Sequence, residues 1–253
     1  MKFNNIILGL FLTCCSYQLQ AAEIQIAAAS NLRYVLSELI AQFDQKSGHR
    51  VHVSYAASGT LTTQIQHGAP FEVFLSADPY YVQHLSEGGL SEGAVIDFAQ
   101  AQMVLFASTQ SPLSLDANLL GLKSALIRGE LNKVAIANPK HAPYGQVAQR
   151  LLEEAGIWQH IQSQLLIAEN ASQAIQFALT SQVDAGFVPY SYVLQPQIAS
   201  QGRYIQLDAT LPQQAVLIRG ASDPAKQFLN FIQTEPAKAI FRAQGFIVLE
   251  KAA

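Results

Sequence analysis

Cysteine is almost missing from this chain. There are two, Cys14 and Cys15, and they are adjacent and close to the amino terminus. Every residue beyond them is free of disulfides, so a folded body must be held by its core alone. Charge is also scarce. Charged residues make up 13% against 50% hydrophobic ones, which excludes a disordered chain and fits a compact globule. The formal net charge of −3 carries no basic surplus. That argues against nucleic acid or an anionic membrane as partner. The six histidines are scattered without paired spacing, which offers no zinc site. The chain has no Gly-x-Ser-x-Gly elbow and no linker rich in Pro, Gly or Ser.

What is present begins with an export signal. Lys2 gives a positive start, and residues 6–15 form an apolar run too short to span a bilayer. Polar residues 16–18 and then Ala21-Ala22 follow, so residues 1–22 read as a secretory signal peptide cleaved after Ala21 or Ala22. Lipid attachment at Cys14 or Cys15 ranks second, because no small-residue run precedes either one. Lys2 is the one charge in the segment, so its removal takes the net charge from −3 to −4. About 230 residues remain, ample for one large or two small domains.

The mature chain repeats one arrangement four times. A short apolar strand ends in small residues, short polar side chains follow, and a helix begins. The first case is residues 24–29, then Ser30-Asn31, then Leu32, Val35, Leu36, Leu39, Ile40 and Phe43 on one helical face. The second is Val51, Val53 and Tyr55 in alternation, then Ala57-Ser58-Gly59-Thr60, where Gly59 permits close approach of a ligand to the backbone. The third is residues 134–137, then Asn138 through Gly145, with helix to Gly156. The fourth is residues 165–167, then Glu169-Asn170-Ala171-Ser172. Each junction presents free backbone N–H groups and the positive end of a helix dipole, which suits a small anion. The competing reading is that the polar residues cap their own helices, and it is favoured for Asn170 and Ser172. Asp78-Pro79 reads as a cap, since a carboxylate would repel an anion.

Further helices are expected at residues 119–127, at 157–164, and after Asp223-Pro224 and Glu235-Pro236. Strands alternating with helices predict an α/β fold with mostly parallel sheets. Residues 103–107 and 215–218 are candidate strands crossing between two lobes. That gives lobe 1 as 23–102 with 205–253 and lobe 2 as 103–204, with two junctions on either side of a cleft. The donors available there are uncharged: the hydroxyls of Ser30, Ser58 and Tyr144, the amide of Asn31, and backbone N–H groups. Lys140 is the nearest basic residue. Donors without acceptors favour a fully deprotonated oxyanion over one that must place a proton.

These motifs give a resemblance. Ala27-Ala28-Ala29-Ser30-Asn31, Ala57-Ser58-Gly59-Thr60, Gly68-Ala69-Pro70 with Ser76-Ala77-Asp78, Ala142-Pro143-Tyr144-Gly145 and Ala185-Gly186-Phe187-Val188, in this order, are similar to the periplasmic molybdate-binding proteins of bacterial molybdate transporters. Those are type II solute-binding proteins, and the likeness covers nearly all of the mature chain. It implies a two-lobed fold, export to the periplasm, and a monomer that hands molybdate, and tungstate too, to an ABC-type membrane permease without enzymatic activity or cofactor. It also implies that Ser30, Asn31, Ser58, Tyr144 and Ala171 contact the oxyanion through its oxygens, without ligating the metal directly. A variant of the family carries a ligand tyrosine just after the strand at 185–188. Here Pro189 stands there, so that contact is not expected. The rivals are another tetrahedral oxyanion such as sulfate, and a secreted serine hydrolase using Ser58 or Ser30 with His141 as base.

Overall fold

The structure is a computed structural model that describes residues 22–248. The predicted signal peptide, apart from Ala22, and both cysteines lie outside the described residues.

The first half opens with β1 (Glu23–Ala29), a 3-10 turn at Ser30–Leu32, and α1 (Arg33–Ser47). Val35, Leu36, Leu39 and Phe43 are buried, as the helical spacing requires, and Gly48 stops α1 in the left-handed region at φ 73°. Then come β2 (Arg50–Ala56), α2 (Ser58–Gln66), β3 (Val73–Ser76) and α3 (Pro79–Glu87). Asp78 caps α3 by accepting from the Tyr80 N–H at 2.8 Å, with Pro79 in the first helical turn.

A long strand β4 (Ser91–Ser108) leads to α4 (Leu120–Ile127), β5 (Val134–Ala137), α5 (Pro143–Glu154), β6 (Leu165–Ala168), α6 (Ala171–Ala178) and β7 (Ala185–Pro189). Two four-residue helices, α7 (Tyr190–Val193) and α8 (Pro196–Ala199), precede a second long strand, β8 (Gly202–Ile218). Helices α9 (Asp223–Phe231) and α10 (Glu235–Ala243) complete the chain, each opened by its acidic residue and proline. The helix expected over 157–164 does not form. That segment makes turns closed by the His160 N–H on the Ile157 carbonyl and the Gln164 N–H on the Ile161 carbonyl, with a 3-10 turn at Gln162–Gln164.

One eight-stranded sheet runs through the molecule in the order β2-β1-β3-β8-β4-β7-β5-β6. β1 pairs parallel with β2 and β3, and β5 pairs parallel with β6 and β7. These two parallel groups are joined by the antiparallel pair β4 and β8. The expected crossing segments are one end of each long strand: residues 103–106 pair with β7, and residues 214–217 pair with β3. Both strands extend much further than the sequence reading placed them. Register shifts between Glu92 and Ile96, Asp97 and Ala99, and Gln102 and Val104 mark irregularities in the pair. Such shifts bend a strand and raise its twist, which curls the sheet. β8 alternates faces, with Leu207, Ala209, Leu211 and Gln213 buried between exposed neighbours.

Candidate functional site

The carboxyl ends of β1, β2, β5 and β6 all point to the place where the two parallel groups meet, the usual position for a ligand in α/β sheets. The four junctions converge there. A cavity of about 10 Å³ is lined by Ser30, Asn31, Ser58, Tyr144 and Ala171, with the small residues Ala29, Ala57, Ala77 and Ala142 filling the wall between them. The lining contains no Lys, Arg, His, Asp or Glu. All five candidate residues are buried, none more than 4% exposed. Lys140 lies outside on the surface; Arg33, two residues past Asn31, is nearer in sequence, but it too is exposed and outside the lining, with its guanidinium over the Tyr55 ring at 4.4 Å.

Each junction offers its donor for a local reason. Asn170 caps α6 by accepting from the N–H groups of Ser172 and Gln173, at 2.9 and 3.2 Å. That leaves the Ala171 N–H, one position earlier, without a capping partner. Ser58 Oγ accepts from the Ala77 N–H at 3.1 Å, so its own hydrogen is left to donate. Pro143 starts α5 and Gly145 follows Tyr144. A Cβ on Gly145 would lie 2.2 Å from the Ala137 carbonyl oxygen, so only glycine lets this helix start sit so close to the end of β5.

Tyr144 is the most informative side chain. Its hydroxyl is buried and has no hydrogen-bond partner. An unsatisfied buried hydroxyl costs roughly 1–3 kcal/mol, and an oxyanion oxygen in the cavity would satisfy it. Burial drives the Tyr144 phenol far above its ordinary range, the Tyr192 phenol adds to this, and the Asn31 side chain opposes it. Tyr144 is therefore a neutral donor throughout the physiological range.

Asn31 differs from the sequence expectation. Its Nδ2 donates to Gln213 Oε1 at 3.0 Å, while Gln213 Nε2 donates to the Leu211 carbonyl at 2.9 Å. Gln213 thus fixes which way the Asn31 amide faces. One amide hydrogen is used inside the protein, and Asn31 Oδ1 is buried without a partner. The site is not purely a set of donors, because Asn31 also brings an acceptor.

Three further expectations change. Gly59 does not line the cavity. Its N–H donates to the His141 carbonyl at 2.9 Å, and a Cβ there would meet that oxygen at 2.8 Å. The close approach it permits is that of the α5 approach loop, not of a ligand. Ser172 is no cap: its hydroxyl bonds the Tyr192 hydroxyl and reaches the Ser30 carbonyl at 3.4 Å. His141 sits beside Thr60 Oγ1 at 3.4 Å and Glu169 at 3.9 Å, with no hydrogen bond to Ser30 or Ser58. A serine nucleophile lacks its base in this geometry.

The family of bacterial extracellular solute-binding proteins matches residues 24–247. This chain belongs to that family. Among its solute-binding relatives, the molybdate-binding protein ModA of Rhodobacter capsulatus is 36% identical over 231 residues, 90% of this chain and 89% of that one. The molybdate-binding protein ModA of Azotobacter vinelandii is 33% identical over 246 residues, 94% of each chain. In three dimensions, the solved periplasmic molybdate-binding protein of Azotobacter vinelandii matches with a TM-score of 0.79 at 26% identity, over 90% of this chain and all of that one. The fold is thus that of a periplasmic solute-binding protein, a class without enzymatic activity.

Within this solute-binding fold, sequence reasoning missed two residues beside the site. Gln213 carried a usable signal: it is a polar residue at an inward position of an alternating strand, and it is fully buried. Tyr192 carried none. It follows β7 in a four-residue helix, and nothing local shows that its hydroxyl reaches Ser30, 162 residues away.

Proposed function

We propose that the protein captures molybdate, and tungstate with it, in the periplasm and delivers it to an ABC-type membrane permease. The observation that carries this is the convergence of four helix starts from both ends of the sheet on one small buried cavity without a basic side chain. Ser30, Ser58, Tyr144 and the second Asn31 amide hydrogen donate to the oxyanion, together with the Ala171 N–H and the free N–H groups of the first turn. Each charge-assisted bond contributes roughly 1.5–3 kcal/mol. Half a dozen of them offset the roughly 4–15 kcal/mol of lost ligand freedom and leave micromolar or better affinity. A cavity of about 10 Å³ leaves no room for an organic solute. Among doubly charged tetrahedra, its size makes the choice.

The two lobes, 23–102 with 205–253 and 103–204, close on the anion by bending at β4 and β8, and closure is what the permease reads. The protein works as a monomer released by cleavage of its signal. Among the described residues no helix is long and apolar enough to cross a membrane.

Thermal melting with each anion tests the reading. Molybdate and tungstate at micromolar concentration are expected to raise the midpoint by linkage. A shift with sulfate or phosphate and none with molybdate or tungstate overturns it.

A further inference from the structure

The Ser30–Asn31 peptide group is held from behind. The Tyr192 hydroxyl donates to the Ser30 carbonyl at 2.7 Å. With its one hydrogen used there, its oxygen accepts from the Ser172 hydroxyl, whose single hydrogen is shared with the Ser30 carbonyl at 3.4 Å, and the Arg33 side chain also bears on the Tyr192 hydroxyl. Ser191 Oγ donates to the next carbonyl, that of Asn31, at 3.2 Å. Tyr192 is 2% exposed and its ring meets Tyr34 edge-on at 4.8 Å, so it has little freedom to point elsewhere. Ser30 and Asn31 follow β1 at one end of the sheet, whereas Ser172, Ser191 and Tyr192 belong to α6 and α7 at the other.

The carbonyl of Ser30 and the N–H of Asn31 belong to one peptide unit. A hydrogen bond accepted at the carbonyl polarises the N–H on the opposite edge and fixes its direction. Ser172 in turn adjoins Ala171, which also lines the cavity. A single chain of hydroxyls therefore ties two anion-facing walls together.

We propose that Tyr192, with Ser172, is a positioning clasp: it forms as the two halves close, orients the Ser30–Asn31 peptide toward the bound oxyanion, and sets how long the anion is held. The clasp touches no ligand and acts through the peptide it holds. It rests on the oxyanion-binding reading above and adds to it the residues that couple capture to closure.

The test is molybdate binding by calorimetry and release by stopped flow for the full chain, Tyr192→Phe, Ser172→Ala and the double variant. Tyr192→Phe keeps the ring and removes the hydroxyl. Its affinity is expected to fall about tenfold, mainly through faster release, with the ligand-free melting midpoint within about 2 °C of the parent. Ser172→Ala is expected to lose about threefold, and the double variant no more than Tyr192→Phe alone, because the two act as one unit. Parental affinity and release in Tyr192→Phe overturn the clasp. So does a drop in the ligand-free midpoint with no change in ligand affinity, which marks a purely structural residue. If Tyr192→Phe does not fold, Ser172→Ala decides by the same readouts, and parental behaviour there overturns the proposal. Failure of the parent chain to bind molybdate is a different result and refutes the function itself.

Discussion

At the scale of single residues, the proposed anion site is marked by particular hydrogens left without an internal acceptor. Ser58 accepts from Ala77 and so has its proton free. Asn170 caps positions two and three of α6 and leaves the first. Tyr144 Oη makes no hydrogen bond of ordinary geometry among the described residues, although the Asn31 side chain bears on it. Tyr144→Phe is expected to cost molybdate affinity roughly ten- to a hundredfold, the equivalent of one charge-assisted bond. Its ligand-free stability should not fall, since an unsatisfied buried hydroxyl is removed. Calorimetry paired with urea melts checks both parts; a clear loss of ligand-free stability would show that the hydroxyl has a structural partner.

The tyrosines also predict a pH dependence. Burial lifts the phenols of Tyr192 and Tyr55 to about 12, and lifts Tyr144 further. In the unfolded chain each titrates at its ordinary value of about 10. Above that value the unfolded state has lost protons that the folded state still holds, so stability falls as pH rises. The contribution is fully present below pH 10 and is lost progressively as the pH passes through the folded-state values. Melting midpoints should therefore decline between about pH 10 and 12, and the decline should be shallower in Tyr192→Phe. An equal slope in the variant would count against Tyr192 as a contributor.

At the scale of elements, what matters is how closely the two ends of the sheet approach. Gly59 in α2 meets the His141 backbone before α5, and Gln146 on α5 reaches Tyr81 Oη on α3 at 3.3 Å. Gly59→Ala probes this contact with opposite effects on two states. Alanine favours a helix over glycine by about 1 kcal/mol, so a molecule with its halves apart is not harmed. With the halves together, the added methyl lies 2.8 Å from a carbonyl oxygen and forces them open. The expected outcome is a ligand-free midpoint equal to or above the parent, with molybdate binding at least about tenfold weaker. Unchanged binding would mean that the contact between α2 and the loop before α5 plays no part in capture.

The four helix starts were legible as elements because each joins a short apolar or alternating strand run to a helical apolar face. The long strands β4 and β8 were legible only at their apolar ends. Ser91 to Gln102 mixes exposed, charged and glycine positions, and Pro212 reads by sequence as a strand breaker although burial alternates on both sides of it. A strand whose faces are covered unevenly along its length has no uniform pattern to read.

At the scale of the whole molecule, ligand binding and stability are linked. At a free molybdate concentration about a thousand times Kd, binding adds about 4 kcal/mol to the stability of the folded state. For a chain of this size that corresponds to a midpoint rise of roughly 8–16 °C. A rise that fails to grow with the logarithm of ligand concentration would argue against a single specific site.

The sequence by itself marked the four helix starts and the polar side chains at them, because a helix start advertises its free N–H groups through local features: small residues, a hydroxyl or amide, and then an apolar period. It determined the α/β class for the same reason, since strand and helix periodicities are properties of neighbouring residues. Only the tertiary structure decided that four such starts share one cavity, that Gln213 orients Asn31, that Gly59 serves a contact between halves, and that Tyr192 backs the Ser30 peptide. Those facts join residues separated by up to 182 positions. A hydrogen bond depends on distance and direction in space, and nothing in the local pattern at either partner records where the other lies.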